Sequence, residues 1–144
     1  MIQKAERIIE AYQKVKPAGC GVIAMDGRAA AGKTTLAEEL AVTLGGAVVH
    51  MDDFFLPGEL RTPERLAAPG GNVHAERFAE EVLPYLRRGE AFRYRRFDCH
   101  RMDYNGWVEI PPVPVIIVEG AYSQHPRFGG YADLTVFCDI APEE

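Results

Sequence analysis

Gly27-Arg28-Ala29-Ala30-Ala31-Gly32-Lys33-Thr34 is a complete G-x-x-x-x-G-K-[ST] segment, and its reading decides the fold. Before it, Gly21-Val22-Ile23-Ala24-Met25-Asp26 is an apolar run that reads as a buried strand. After it, Leu36, Leu40 and Leu44 recur at helical spacing. Strand, glycine-rich turn and helix in that order is the context in which such a segment holds nucleotide phosphate. Backbone N–H groups of the turn and the positive end of the helix converge on an anion. Gly27 and Gly32 allow a close phosphate approach that a Cβ would hinder. Lys33 can reach the β- and γ-phosphates, the Thr34 hydroxyl is placed to ligate Mg²⁺, and Thr35 completes the candidate nucleotide-binding set. The plainer reading is a strand–helix turn that binds nothing.

The 144 residues suit one domain with a sizeable core. Hydrophobic residues at 47% and charged residues at 26% are those of an ordinary globular chain. Lys plus Arg is 16 against 21 for Asp plus Glu, a formal charge of −5, which argues against a general nucleic-acid binder. Cys20, Cys99 and Cys138 are far apart, with no C-x-x-C pair, so neither a zinc site nor a disulfide framework is expected. No signal-peptide core or membrane-length apolar run is present, and the expected location is the cytoplasm, away from membranes.

Ile2, Ala5, Ile9, Tyr12 and Val15 suggest a packing helix ended by Pro17 and Gly19. The helix after the phosphate loop stops at Gly45-Gly46. Ala47 to Met51 reads as a short buried strand that delivers Asp52-Asp53 to its C-terminal end. The stretch from Phe54 to Gly71 reads as a functional loop with some short helix. Asn72 can cap a helix carrying Phe78, Val82, Leu83 and Leu86, which Pro84 should kink. Phe92 to Asp98 and Trp107 to Ile110 look like a hairpin-like insertion with Asn105-Gly106 at its turn. Val115-Ile116-Ile117-Val118 suits a central parallel strand ending at Glu119-Gly120, and Asp133 to Asp139 is a fourth strand candidate. The alternation of strands and helices argues an α/β layered domain with a parallel sheet.

Ligands in such sheets bind beyond the carboxyl ends of the strands. A carboxylate there can orient or deprotonate an attacking hydroxyl, or hold Mg²⁺. Asp52 takes the hydroxyl-facing role and Glu119 the metal side. For Asp53, a loop hydrogen bond or helix cap stands beside a catalytic role.

The phosphate loop, His50-Met51-Asp52-Asp53-Phe54-Phe55, the segment from Tyr94 to Arg101, and Val118-Glu119-Gly120 follow one another in an order that resembles uridine kinase-like proteins. These belong to the P-loop kinases that include phosphoribulokinase and bacterial pantothenate kinase. The resemblance runs from about Gly21 to Asp139. It implies a three-layer P-loop NTPase domain with a small insertion, ATP and Mg²⁺ as cofactors, and a small-molecule acceptor with a hydroxyl group. It implies that Asp52 is the base and, with Lys33, the catalytic pair, and that Thr34 and Glu119 hold the metal.

Asp53, Tyr94, Arg96, His100 and Arg101 form the candidate substrate set. His100 read alone is a solvated loop residue. Arg61, Arg65, Arg77, Arg95 and Arg96 read first as surface charges, with Arg96 and Arg101 raised because they flank the insertion. Phe54, Phe55, Tyr94 and Tyr122 read first as packing residues.

Two departures bear on the acceptor. Gly71-Asn72-Val73-His74-Ala75 carries histidine where nucleoside kinases place a ribose-gripping aspartate, and the Tyr…His-x-Arg element matches only loosely, as Tyr94, Asp98, His100 and Arg101. The acceptor therefore stays open between a nucleoside, pantothenate and a sugar phosphate. A non-catalytic nucleotide-binding module is the reading from another class, and a homo-oligomer is allowed. No N-K-x-D segment supports a GTPase. Uridine kinase-like proteins also continue into a lid helix with arginines, a further strand and an adenine loop. With no arginine after Arg127, the expectation is one domain over 1–144 that is C-terminally incomplete or takes its lid from a partner. Such a chain binds phosphate but transfers it feebly.

Overall fold

The computed structural model describes residues 2–15, 20–27, 33–67, 73–98, 100–120 and 131–138. Arg28, Ala29, Ala30, Ala31 and Gly32 of the phosphate loop lie outside the described residues, as do Pro17, Gly19, Asn72, Cys99 and Tyr122. For Lys33 and Thr34 only the backbone is described.

Four parallel strands form the main sheet in the order β2-β5-β1-β6. They are β1 (Gly21–Gly27), β2 (Ala47–His50), β5 (Val115–Glu119) and β6 (Leu134–Cys138). Successive side chains of a strand point to opposite faces, so a run that is apolar throughout needs cover on both. That cover is present. Ile23 and Met25 of β1, with Val115 and Ile117 of β5, pack against Leu36, Ala37 and Leu40 of α2 (Lys33–Leu44) and Ile8 of α1 (Ile2–Val15). Val22, Ile116 and Val118 face the other way, onto Phe54, Phe78 and Tyr94. The connection from β1 through α2 to β2 is the parallel crossover unit that the phosphate-loop reading requires.

Helix α2 ends where expected. Gly45 adopts φ +70°, and the Gly46 amide donates to the Ala41 carbonyl at 2.8 Å, which caps the helix.

Strand β2 stops at His50, one residue short of the expected boundary, and Met51–Phe54 form a 3-10 turn. Residues three apart eclipse in a 3-10 turn. Met51 and Phe54 therefore share the buried side, leaving Asp52 exposed and Asp53 half-buried. Short helices follow, a 3-10 turn over Gly58–Leu60 and α3 over Pro63–Ala67, as expected for that loop.

Helix α4 (Ala75–Glu81) ends before Pro84, and the chain continues as a 3-10 turn over Leu83–Tyr85. The proline breaks the helix instead of kinking it, since it removes a donor and clashes with the preceding turn.

Strands β3 (Phe92–Asp98) and β4 (Asp103–Ile110) form a separate antiparallel hairpin between β2 and β5 in sequence. Here the expectation needs correcting. Asn105-Gly106 lies inside β4, opposite Arg96, where the register shifts between Arg95 and Phe97. Gly106 adopts φ +78°, the left-handed backbone of a glycine bulge. The reversal lies between the end of β3 at Asp98 and the start of β4 at Asp103. There the Asp98 carboxylate accepts the amides of His100 at 2.9 Å and Arg101 at 3.4 Å, an Asx-type turn. Among the described residues, no helix is long and apolar enough to cross a membrane.

Candidate active site

The parallel strands bring their C-terminal ends to one edge of the sheet. Met25 and His50 both lie beside Glu119 in register. β1 runs on to Gly27 and α2 begins at Lys33, so both described ends of the candidate phosphate-loop segment lie at this edge. Thr35, in the first turn of α2, is exposed.

Glu119 is 3% exposed, a burial that a carboxylate tolerates only when partnered. Its Oε1 lies 2.5 Å from Nδ1 of His50 on the adjacent strand. With Glu119 as the acceptor of this bond, Nδ1 of His50 is the donor. The hydrogen bond to Glu119 raises the His50 pKa above its ordinary 6.5, against an opposing push from burial. The folded state thus favours the imidazolium. That contribution to stability is complete below the ordinary value and is lost as pH rises through the raised one. We expect the melting temperature of the wild-type chain to fall more steeply than that of His50→Gln across this interval, measured by thermal scans at stepped pH. Parallel curves would show that the pair contributes nothing.

The acid pair follows β2. Oδ2 of Asp53 accepts the Tyr94 hydroxyl at 2.8 Å, and its Oδ1 lies 3.9 Å from Nε of Arg96. Burial raises the Asp53 pKa, and the Tyr94 hydrogen bond and the charges of His50 and Arg96 only partly offset it. Tyr94 is fully buried, and desolvation followed by the nearby Asp53 charge pushes its phenol far up, so it remains a donor. The structure therefore joins Asp53, Tyr94 and Arg96. Asp52 is exposed on the outer side of the 3-10 turn, and His100 and Arg101 are exposed at the hairpin reversal. Phe55 stacks on Phe97 with ring centroids 6.4 Å apart, extending the same contact between the acid turn and the hairpin.

His74 stands at the start of α4, beside the bridge between Phe55 and Val73, and its amide donates to the Phe54 carbonyl at 2.6 Å. Burial, then the neighbouring Arg77, lowers its pKa, which favours the neutral ring.

Two residues of this region escape a reading by motif. His50 becomes visible only once β2 and β5 are set in register. Arg77 reads as a surface charge but is 4% exposed, packed between the acid turn and the hairpin. Arg65, read as a surface charge, is half-buried: it pairs with Glu76 at 2.7 Å and donates to the Val73 carbonyl at 3.1 Å.

No protein-family model matches the chain. Among solved structures, it is similar to a possible uridine kinase from Bacillus stearothermophilus, with a TM-score of 0.81 and 21% identity over 96% of this chain and 81% of that one. It is also similar to a candidate fructose transport system kinase from Silicibacter sp. TM1040, with a TM-score of 0.75 and 24% identity over 95% of this chain and 75% of that one. With its parallel sheet, crossover helix and phosphate-loop sequence, the chain has the P-loop NTPase type of α/β fold.

Proposed function

We propose that the chain transfers the γ-phosphoryl group of ATP to a hydroxyl of a small metabolite, of nucleoside or related type. One arrangement carries the reading. The junction between Gly27 and Lys33, the buried Glu119 and the Asp52-Asp53 turn all leave the same edge of one parallel sheet. A site of this kind needs phosphate donors and carboxylates side by side.

Amides of the loop from Gly27 to Thr35 and the Lys33 ammonium gather the phosphates and neutralise charge developing on the transferring group. Mg²⁺, when bound, supplies further neutralising charge to the β- and γ-oxygens. Thr34 and Glu119 are the residues to hold it, since their hard oxygen donors suit an ion that takes one or two carboxylates and completes its shell with water and phosphate. Asp52, exposed on the turn, orients the acceptor hydroxyl and takes its proton. The acceptor oxygen bonds to the γ-phosphorus as the bond to the β-phosphate oxygen breaks, and that electron pair leaves with ADP. Asp53 is already committed to Tyr94 and, with Arg96, forms the wall beside the acceptor. His100 and Arg101 flank it from the hairpin reversal.

A sugar or sugar phosphate as acceptor is the second reading. His74 favours it, standing where a nucleoside kinase carries a ribose-gripping acid, and one structural neighbour is described as a fructose transport system kinase.

The experiment is ADP release by the chain with ATP and Mg²⁺, screened against nucleosides, pantothenate, sugars and sugar phosphates. We expect one acceptor class to accelerate release with one ADP formed per acceptor phosphorylated. Nucleotide binding with no acceleration by any acceptor would leave the regulatory nucleotide-binding module in its place.

A further inference from the structure

Among the described residues the hairpin shares no strand pairing with the main sheet, yet it supplies Tyr94 and Arg96 to the candidate site. Something other than a β-ladder has to fix it there. The Arg77 side chain, on α4, meets that need. Its Nε donates to Oε2 of Glu81 at 2.9 Å, its Nη1 reaches the Asp53 carbonyl at 3.4 Å, and its Nη2 donates to the Arg95 carbonyl. Glu81 completes the arrangement, since its Oε1 accepts the Arg95 amide at 2.8 Å.

Both backbone groups of Arg95 are therefore satisfied by side chains of α4. In an antiparallel pair, a residue whose amide and carbonyl both point away from its partner presents them at the outer edge. The Arg77–Glu81 pair covers that edge of β3 as a neighbouring strand would, and the same guanidinium holds the acid turn. The planar group also lies over the Phe54 ring at 4.5 Å and faces the Tyr104 ring at 5.1 Å. A lysine ammonium cannot reproduce such a fork with an aromatic ring on its face.

We infer that Arg77 is a positioning residue for the acceptor half of the site: with Glu81 it locks the hairpin at Arg95 to the acid turn at Asp53, so that Asp52, Asp53, Tyr94 and Arg96 keep their spacing as one body. The inference rests on the phosphoryl-transfer reading for its kinetic consequence but not for its geometry. A role confined to packing is the rival. Buried ion pairs contribute unreliably to stability, so loss of spacing and loss of stability are separable here.

The test uses Arg77→Lys, with Glu81→Gln as the second variant should the first fail to fold. Steady-state ADP release with the acceptor found in the screen should show kcat lowered about 10- to 100-fold, the scale of a small misplacement of reacting groups. The KM for ATP should stay within about twofold of wild type, because the phosphate loop lies outside the clamp. Amide hydrogen exchange should quicken over 92–98 and 51–55 and stay unchanged in β1 and β5. The single tryptophan, Trp107, lies opposite Arg95 across the hairpin, so its fluorescence should shift as well. If kcat is unchanged, or if exchange rises evenly across hairpin and main sheet, the inference is overturned. If the wild-type chain releases no ADP with any acceptor, the phosphoryl-transfer reading falls on its own, and the exchange pattern decides the clamp.

Discussion

Lys33→Ala, and equally Lys33→Met, lowers ATP affinity or turnover by orders of magnitude while the chain stays folded. The expected loss in turnover is about 10²–10³-fold, the scale measured when one preorganised donor to a developing negative charge is removed. The reason lies in where the charge is needed. Phosphoryl transfer leaves little covalent work to the protein, so neutralising the transferring group is most of what a side chain can do. The fold should be indifferent, because the core under this edge is built from Ile23, Met25, Leu36 and Leu40. Binding of ATP measured by calorimetry, together with turnover in the coupled assay and a melting curve, checks all three parts. Unchanged binding together with unchanged turnover would remove the phosphate-loop assignment.

The second large effect separates two adjacent acids. Asp52→Asn should suppress phosphoryl transfer about 10²–10⁴-fold, the range for losing a general base, and alter ATP binding little. Asp53→Asn should be milder. An asparagine at 53 keeps an oxygen to accept the Tyr94 hydroxyl, whose bond at 2.8 Å is the main polar tie of that side chain. Comparing kcat and the KM for ATP in the two variants decides the order. A larger loss at 53 would reverse the assignment and make the half-buried carboxyl, with its raised pKa, the group that meets the acceptor.

What could be read from the sequence depended on how locally each feature is determined. Strands β1 and β5 are legible because a strand buried on both faces is apolar at every position, and Val115 to Val118 are all buried. The candidate phosphate loop stands out in the sequence because its residues are consecutive, and Arg28 to Gly32 of it lie outside the described residues. Asn105-Gly106 misleads for a specific reason. Hairpin turns and glycine bulges ask for the same left-handed backbone, and only the pairing partner of Arg96 tells them apart. The acid pair was legible as a pair, but the orientation of each member follows from the 3-10 turn that sends Met51 and Phe54 inward. Arg77 was illegible for the opposite reason. It sits among Glu76, Glu80 and Glu81 in a short helix, and its burial comes from segments distant in sequence, the acid turn before it and the hairpin after it. His50 likewise has no local signal, since its partner lies 69 residues away.

Gly120 adopts φ +135°, its amide donates to the Met25 carbonyl at 3.0 Å, and a Cβ added there would stand 2.6 Å from Cβ of Met51. This glycine lies directly against Met51, the first residue of the turn that carries the acid pair. It is a spacer of zero thickness between the segment that carries Glu119 and the segment that carries Asp52. Any side chain at this position would act as a wedge, prising the end of β2 away from the end of β5 without touching either carboxylate. The Glu-Gly pair in the sequence is therefore a single specification, in which one residue supplies a buried carboxyl group and the next sets how closely the end of β5 approaches the acid turn.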